Sequence, residues 1–278
     1  MIRHFFDVYD EISPTLKNRY VMLFLDYDGT LTPIVERPEL AKLSYAAKKA
    51  LKELARLKEI KIVLISGRSL SNLKKLVHVP GLIYVGNHGF EFEGPKIRYV
   101  HPGALAAKRH LSNLERRFKK AFRDFPGILV ENKKLTLSVH YRQVEFEKIG
   151  QAKTIFLKLA APYLQNSELS FTEGKKVWEL RPETQWNKGT TVVWLLARVL
   201  FQVSGHPLPI YIGDDATDED AFRTLRHKGI GIKVTEDSEE TSQADYYLRS
   251  PDEVVQFLKH LKNLKKGAHA PKILVKSR

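Results

Sequence analysis

Short apolar runs alternate with amphipathic stretches along most of the chain. Nearly continuous apolar runs are typical of parallel strands that are buried on both faces. Such runs occur at residues 20–26, 60–65, 82–85 and 209–213, with shorter ones at 229–234 and 244–248. Apolar residues at helical spacing predict helices at residues 40–57, 69–77, 187–200, 218–225 and 251–263. This rhythm predicts an α/β fold with a doubly wound, Rossmann-like parallel sheet.

The middle of the chain has a different pattern. It predicts helices at residues 104–125 and 146–163, each followed by two strands, at 127–131, 135–142, 168–173 and 177–181. An αββαββ order is expected of an antiparallel sheet backed by two helices. We therefore predict a core of residues 1–102 and 183–278 interrupted by an inserted α+β cap, residues 103–182. Hinges are expected near residues 95–102 and 181–184.

Composition narrows the class of protein. The chain lacks cysteine, which excludes disulfides and thiolate metal sites. No apolar run approaches the roughly 20 residues of a membrane span, and the first residues do not resemble a signal peptide. We therefore expect a cytoplasmic protein without membrane contact. The net charge is +14, but seven Lys or Arg residues lie within residues 259–278. This favours a solubilising or anion-attracting surface, with nucleic-acid binding as the alternative.

Two acidic segments follow predicted strands. Asp26 and Asp28 come after the first strand, and the sequence GDDATDED, residues 213–220, follows the strand at 209–213. Ligands of open α/β sheets bind at these strand ends, and carboxylates held close together favour a divalent cation with oxygen ligands, such as Mg²⁺. An Asp-Gly turn and an acidic helix start are the plain alternatives for the two segments taken singly.

Two further polar residues lie at the ends of predicted elements, one after a strand and one at the start of a helix. Ser66 follows the strand at 60–65, where a hydroxyl and backbone N–H groups could meet a phosphate. Lys188 opens a predicted helix, where the helix dipole disfavours a cation unless an anion accompanies it. A plain turn and a surface lysine are the alternatives. Together, the carboxylates, hydroxyl and lysine indicate phosphoryl transfer, and neither a P-loop nor the HExxH and GxSxG motifs occur.

The motifs DYDGT, Ser66, Lys188 and GDDATD resemble, in order, the four motifs of haloacid dehalogenase superfamily phosphatases. The cap lies between the second and third motifs, as in that superfamily's larger cap type. Within the superfamily, several segments resemble the trehalose-6-phosphate phosphatase family. They are FLDYDGTLTPIV, GNHGFE, VENKKLTLSVHYR, GKKVWELRP and NKGTT.

The resemblance implies a role for each matching residue. Asp26 is expected to be the nucleophile and Asp28 the general acid and base. Mg²⁺ is expected to bind Asp26, Asp214 and the carbonyl of Asp28. Ser66 and Lys188 are expected to hold the phosphate. The remaining expected residues are Asp215 and Asp218, supporting the metal or Lys188, and the substrate-binding Asn87, His88, Glu91, Glu131, Lys133, Arg142, Lys176 and Glu179.

Two residues depart from the family pattern, with Lys134 in place of the expected Gly and Asn132 in place of the expected Asp. The expected substrate is trehalose 6-phosphate, and the expected state is a monomer with a trehalose-6-phosphate synthase as a candidate partner. A phosphatase of the sucrose-phosphate or mannosyl-3-phosphoglycerate type is the nearest alternative. A basic nucleic-acid-binding protein and a non-catalytic sugar-phosphate sensor are alternatives of other classes.

Overall fold

A computed structural model of the chain describes residues 2–35, 38–200 and 206–267. In chain order, its strands are β1 (Arg3–His4), β2 (Val21–Leu25), β3 (Ile60–Ile65), β4 (Ile83–Gly86), β5 (Glu91–Gly94), β6 (Ile97–Val100), β7 (Leu129–Asn132), β8 (Leu137–His140), β9 (Leu169–Gly174), β10 (Val177–Pro182), β11 (Leu208–Gly213), β12 (Ile230–Val234) and β13 (Tyr246–Leu248). The α-helices are α1 (Tyr9–Asn18), α2 (Tyr45–Leu54), α3 (Leu70–Val77), α4 (Pro102–Ala121), α5 (Phe146–Gln165), α6 (Lys188–Leu200), α7 (Glu219–Leu225) and α8 (Pro251–Gly267).

The described chain divides into two compact units. The first contains residues up to 65, residues 74–84 and the described chain from residue 188 onward. The second contains residues 66–73 and 85–187. The second unit is therefore larger than the predicted cap at 103–182. The cap boundaries and the hinges stay predictions. The basic segment beyond residue 267 lies outside the described residues.

A sheet forms the centre of the first unit, in the order β1, β13, β12, β11, β2, β3 and the start of β4. The pairs from β1 to β3 are all parallel. β2 is buried along its whole length, as its apolar sequence VMLFL predicts. The chain continues from β2 to β3 on one side, whereas β11 pairs with β2 on the other. The strand order thus reverses between β2 and β11. Such a reversal creates the crevice in which α/β proteins bind ligands.

The helices of the first unit follow the predicted pattern with shifted ends. The helix predicted at 40–57 begins only at Tyr45, because Ser44 caps it by accepting the N–H of Ala47 at 3.1 Å. The start of the chain is ordered in a way that the sequence did not suggest. β1 adds a strand beside β13, and Phe5 packs edge-to-face on Phe257 of α8 at 5.1 Å. This N-terminal segment thereby becomes part of the core.

An antiparallel sheet, in the order β7, β8, β10, β9, forms the predicted sheet of the second unit. Its register places Glu131, Ser138 and Glu179 in one row across three strands. Side chains alternate between the two faces of a strand. Residues two positions from these, such as Thr136, His140 and Arg181, therefore share the polar face. β8 is shorter than the strand predicted at 135–142, and β7 begins two residues later than the strand predicted at 127–131.

The opposite face of this sheet is apolar and packs against α4 and α5. Phe156 of α5 stacks on Phe118 of α4 at 5.1 Å and contacts Trp178 of β10 at 5.5 Å between ring centroids. These three side chains are buried completely. The αββαββ pattern of the sequence is confirmed by this arrangement. The hairpin of β5 and β6, which also lies in the second unit, was not predicted.

The described helices offer no candidate for a membrane span, because none is both long enough and sufficiently apolar.

Candidate active site

Three carboxylates meet at the strand ends of the first unit. Asp26 follows β2 and donates its backbone N–H to Ile212 of the neighbouring β11 at 2.9 Å. Asp214 follows β11 directly, and Asp218 lies one turn further along. Each offers a carboxylate oxygen within 4.8 Å of the others, and all three residues are buried. The two acidic segments of the sequence thus converge because β2 and β11 are paired neighbours.

Gly29 allows the carboxylate of Asp214 to lie directly against the turn that follows Asp26. Its backbone has a φ of +86°, and its N–H donates to Thr32 across a tight turn at 2.8 Å. A Cβ at this position would lie only 2.2 Å from Oδ2 of Asp214. Any other residue would therefore displace the carboxylate. The next residue, Thr30, donates its hydroxyl to Oδ1 of Asp214 at 3.4 Å.

Lys188 lies among these acids at the start of α6. Its ammonium donates to Oδ1 of Asp26 at 2.7 Å and to Oδ1 of Asp218 at 2.6 Å. Only 2% of its surface is exposed. Asp218 also accepts the hydroxyl of Tyr211 at 2.5 Å and the backbone N–H of Asp215 at 2.9 Å. Asp218 therefore orients the lysine between two carboxylates, which is one of its two expected roles.

The electrostatics of the cluster follow from burial and opposed charges. Burial raises the pKa of Asp26 well above its usual value, and the negative charges of Asp218 and Asp214 add to this despite Lys188. Burial alone would lower the pKa of Lys188, but Asp218 and Asp26 outweigh it and raise the pKa. The raised pKa favours the protonated, cationic form of the lysine. For Asp218, burial is outweighed chiefly by Lys188, which leaves its pKa lowered.

A divalent cation fits this donor set. Three buried carboxylates lie within 4.8 Å of one another, and the Lys188 ammonium pairs with two of them, so its one positive charge does not balance the three carboxylates when all are ionised. Carboxylate oxygens are the ligands that Mg²⁺ and Ca²⁺ prefer. Asp218 already accepts three hydrogen bonds, which leaves Asp26 and Asp214 as the better candidates to hold the ion. The residues present therefore fit a metal site.

Two further predicted residues lie at the edge of this cluster. Asp28 is half-buried in the turn after Asp26, and its backbone forms an isolated β-bridge with Thr32. Asp215 caps the 3₁₀ turn at Ala216–Asp218, where its carboxylate accepts the N–H of Ala216 at 2.7 Å. Its position is that of a capping residue. The expected role of Asp215 in supporting the metal stays a prediction.

A second polar cluster centres on Glu179 in the second unit. One oxygen, Oε1, accepts Nζ of Lys133 at 2.9 Å and the hydroxyl of Ser138 at 3.0 Å. The other, Oε2, accepts Nε of Arg181 at 2.6 Å and lies 3.0 Å from Nε2 of His88. Burial would raise the pKa of Glu179, but Lys133, Arg181 and His88 outweigh it and hold the pKa well below its usual range. Glu179 is therefore an anion among cations.

Glu131 lies in the same row of the sheet and pairs with Nε2 of His140 at 2.9 Å. Burial would raise the pKa of Glu131, but the hydrogen bond from His140 and the charges of Lys133 and Arg68 leave it lowered. The structure thus brings the predicted Lys133, Glu131, Glu179 and His88 together on one polar face. Charged groups in this density are suited to the many hydroxyl groups of a sugar.

The other predicted residues of the second unit have different surroundings. Asn87 is fully buried and, with Glu91, is hydrogen-bonded to the protein. Arg142 and Lys176 are exposed beside the β9–β10 turn, where Arg142 donates to the carbonyl of Lys175 at 3.1 Å. Ser66 is buried, and its hydroxyl accepts the N–H of Arg68 at 3.1 Å. Their expected contacts with substrate stay predictions.

Several of the contacting residues were not among the expected site residues. Arg181, Thr136 and Ser138 had a detectable signal, because each is polar and lies two positions from a predicted residue or within the alternating segment. Tyr211 had none, since an aromatic residue inside the apolar run PIYI reads as ordinary core. Only the structure shows its hydroxyl on Asp218.

Comparisons with known proteins agree with this geometry. The chain is 40% identical over 265 residues to a probable trehalose-phosphate phosphatase D of Arabidopsis thaliana, which covers 91% of this chain and 70% of the relative. It is 34% identical over 268 residues to trehalose-phosphate phosphatase B of the same plant. This match covers 92% of this chain and 70% of the relative.

Solved structures show the same fold. The C-terminal domain of a C. albicans trehalose-6-phosphate phosphatase aligns with a TM-score of 0.77 at 24% identity, covering 95% of this chain and 99% of that one. At this identity the likeness concerns the fold alone. The family model described as trehalose-phosphatase matches residues 24–252, which include both acidic segments and the whole second unit. The chain therefore belongs to the trehalose-phosphatase family, within the haloacid dehalogenase fold.

Proposed function

We propose that this chain hydrolyses trehalose 6-phosphate to trehalose and phosphate, through a phosphoryl group carried on Asp26 with the help of Mg²⁺. The observation that carries the proposal is the buried cluster of Asp26, Lys188, Asp214 and Asp218 in a member of the trehalose-phosphatase family. Phosphoryl transfer needs positive charge close to the nucleophile. Lys188 provides it beside Asp26, and a divalent cation held by the carboxylates would add to it.

Asp26 is the proposed nucleophile. Its carboxylate oxygen forms a bond to phosphorus as the bond between phosphorus and the sugar oxygen breaks. Lys188 supports this step in two ways. Its ammonium at 2.7 Å favours the ionised carboxylate against the effect of burial, and it offsets charge on the phosphoryl oxygens. The hydroxyl of Ser66 is proposed to bind the same phosphoryl group.

Asp28 is proposed to move the protons. In the first step its carboxyl group donates a proton to the departing sugar oxygen. In the second step its carboxylate takes a proton from water, whose oxygen bonds to phosphorus and releases Asp26. The half-buried position of Asp28, in the turn that begins at Asp26, is compatible with contact to both leaving group and water.

Asp26 and Asp214 are proposed to hold Mg²⁺, together with the carbonyl of Asp28, with Asp218 and Asp215 in support. When bound, the ion would neutralise the carboxylates and stabilise negative charge on the phosphoryl oxygens. Two features of the chain favour such a site. The carboxylates are already gathered within 4.8 Å of one another, and Gly29 leaves room for Asp214.

The polar face of the second unit is proposed to bind the sugar. Lys133, Glu131 and Glu179 lie together there, and His88 adjoins them. Glu91, Arg142 and Lys176 are the further candidates for direct contact with the sugar, whereas the amide of Asn87 is occupied by protein groups. Closure of a cap over the phosphate site would exclude water, as lids do in other enzymes. The cap at residues 103–182 and its hinges belong to this proposal.

A substrate panel with and without EDTA tests the proposal. We expect rapid, Mg²⁺-dependent phosphate release from trehalose 6-phosphate and slower release from sucrose phosphate, mannosyl-3-phosphoglycerate and glucose 6-phosphate. A preference for another sugar phosphate would overturn the substrate. Undiminished turnover in excess EDTA would overturn the metal.

The variant Asp26→Asn tests the covalent step. An amide is a poor nucleophile, so we expect kcat to fall by more than about 10³-fold while the melting temperature is maintained. Asp7→Asn, at a carboxylate 75% exposed, is the matched control and should be fully active. Substantial Mg²⁺-dependent turnover by Asp26→Asn would be incompatible with a phosphorylated Asp26.

Nucleic-acid binding is not favoured by membership of this family. The monomeric state, the cytoplasmic location and a trehalose-6-phosphate synthase as partner stay predictions. Size-exclusion chromatography with light scattering, with and without added synthase, would decide the first and the third.

A further inference from the structure

The loop at residues 87–89 has an unusual backbone. Asn87, His88 and Gly89 follow one another with φ of +49°, +57° and +113°. Left-handed backbone costs about 1–2 kcal/mol for a residue with a side chain, so two such residues in succession need compensation. The loop is held by the N–H of Asn87 on the carbonyl of Arg68 at 2.7 Å and by that of His88 on Ser66 at 3.0 Å. Strain of this kind is found at functional sites.

The loop packs closely on the segment that carries Ser66. A Cβ on Gly67 would lie 2.4 Å from Nε2 of His88, so the imidazole rests directly on the backbone that follows Ser66. The loop and the segment at residues 66–68 are therefore one closely packed piece of the second unit. A group that bonds to this loop is thereby linked to the segment that carries Ser66.

The side-chain amide of Asn87 has three partners. Its Nδ2 donates to Oε1 of Glu91 at 2.7 Å and to the carbonyl of Lys133 at 3.2 Å. Its Oδ1 accepts the hydroxyl of Thr136 at 2.9 Å. Both partners of Nδ2 are oxygens that only accept, so a reversed amide would place three oxygens together. The orientation is therefore determined, and the residue is completely buried.

Through these bonds the amide joins two segments. Glu91 also accepts the N–H of Leu70, the first residue of α3, at 2.8 Å. On the other side, Lys133 and Thr136 are the ends of a turn closed by the bond from Lys133 N–H to Thr136 O at 3.0 Å. Lys133 is thereby held twice, at its carbonyl by Asn87 and at its ammonium by Glu179.

We propose that Asn87 is a positioning residue for substrate specificity: its amide fixes the turn at residues 133–136, and hence the Lys133 ammonium, relative to the segment that carries Ser66. This deepens the proposed function and rests on it. Asn87 was predicted to bind substrate directly, but its amide is occupied by Glu91, Lys133 and Thr136. The residue acts on the sugar through Lys133.

The variant Asn87→Gly tests this inference. Glycine adopts positive φ without strain, so the substitution removes the amide but is compatible with the loop backbone. We expect KM for trehalose 6-phosphate to rise about tenfold with kcat within about twofold, because binding contacts are lost while the phosphate site is untouched. A general loss of folded protein would instead lower kcat and leave KM unchanged. Thr136→Val removes one of the three bonds, together with the longer contact of 3.4 Å from the Thr136 hydroxyl to Oε1 of Glu179, and should shift KM in the same direction.

Amide hydrogen exchange provides a readout that does not depend on turnover. In Asn87→Gly, we expect the amides of residues 132–136 to exchange at least about fivefold faster than in the wild type. Asn113→Ala is the matched control, because Asn113 donates its Nδ2 to Tyr163 at 2.9 Å within the same unit. It should change neither KM nor exchange at residues 132–136.

KM and amide exchange in Asn87→Gly together distinguish a positioning role from direct contact with the substrate. A KM within twofold of the wild type, or unchanged exchange at residues 132–136, overturns the positioning role. A raised KM with unchanged exchange would instead mean that Asn87 touches the substrate itself. If the wild type released no phosphate from trehalose 6-phosphate, the proposed function would fail. Exchange at residues 132–136 would then decide by itself whether Asn87 fixes the turn.

Discussion

Asp218 accepts three hydrogen bonds at once, from Lys188, from Tyr211 and from the backbone of Asp215. This saturation explains how a carboxylate remains ionised in the interior of the protein. It also means that the direction of the Lys188 ammonium depends on Tyr211. Burial and the charge of Asp218 raise the pKa of Tyr211 well above its usual value, so its hydroxyl is a donor throughout the neutral range.

Tyr211→Phe should therefore reduce kcat about tenfold with little change in KM. The variant removes a hydrogen bond of 2.5 Å to a charged group. A tenfold fall in kcat corresponds to a loss of about 1.4 kcal/mol of transition-state stabilisation. Tyr84→Phe is the control, because it removes a similarly buried hydroxyl that donates to the carbonyl of Val79. Steady-state kinetics of both variants decide the matter, and equal losses would contradict a special role for Tyr211.

At the scale of secondary-structure elements, the polar face of the second unit depends on the apolar face beneath it. Strands β8 and β10 present Glu179 and Ser138 on one face and Trp178 and Leu137 on the other. Since alternate residues point in opposite directions, the register that buries Trp178 is the one that aligns Glu179. The packing of α4 and α5 therefore determines the geometry of the polar cluster.

Phe156→Ala should destabilise the protein by about 3–5 kcal/mol. The substitution removes a fully buried ring that contacts Phe118 and Trp178, and it leaves a cavity. Phe146→Ala in the same helix is the matched control, because Phe146 is 82% exposed and should change stability by less than about 0.5 kcal/mol. Urea unfolding monitored by tryptophan fluorescence measures both. Similar midpoints for the two variants would be inconsistent with the described core.

At the scale of the whole molecule, stability and the metal site are linked. The three carboxylates of the strand-end cluster repel one another, and burial raises the pKa of Asp26. A group whose pKa is raised in the folded state destabilises the fold as pH rises through the range where that group ionises. A divalent cation at these carboxylates reverses this penalty. The folded chain should therefore bind the cation, whereas the unfolded chain should not.

Mg²⁺ is accordingly expected to raise the melting temperature at neutral pH, relative to KCl at the same ionic strength. Saturation to 100 times the dissociation constant corresponds to about 2.7 kcal/mol of added stability. Asp214→Asn removes one proposed ligand and should abolish most of the shift. Thermal denaturation followed by circular dichroism provides the measurement. An equal shift in both proteins would indicate that Mg²⁺ binds elsewhere.

Much of this molecule follows from periodicity and motif order. Continuous apolar runs identified β2, β3 and β11, and strict alternation from Leu135 onward identified the two faces of the antiparallel sheet. The acidic segments were recognisable because acids directly after buried strands have few structural explanations. Element ends were less accurate, since capping by a residue such as Ser44 depends on single side chains.

Lys134 departs from the family pattern at a position with a left-handed backbone. Glycine was expected at this position, and the backbone there has a φ of +72°, which glycine adopts without strain. The chain accommodates lysine with the help of Asn132, whose Oδ1 accepts the N–H of Lys134 at 2.8 Å. The two departures from the family pattern thus form one local hydrogen bond.

Local pattern and residue type were enough to establish the α/β class, the family and the acidic and basic residues available for chemistry. Which of these residues contact one another became known only from the folded chain. Tyr211 on Asp218 and Asn87 on Thr136 are contacts of this kind. They arise from strand pairing and loop packing between segments distant in the chain. Local patterns carry no information about such pairings, which are determined by the free energy of the whole fold.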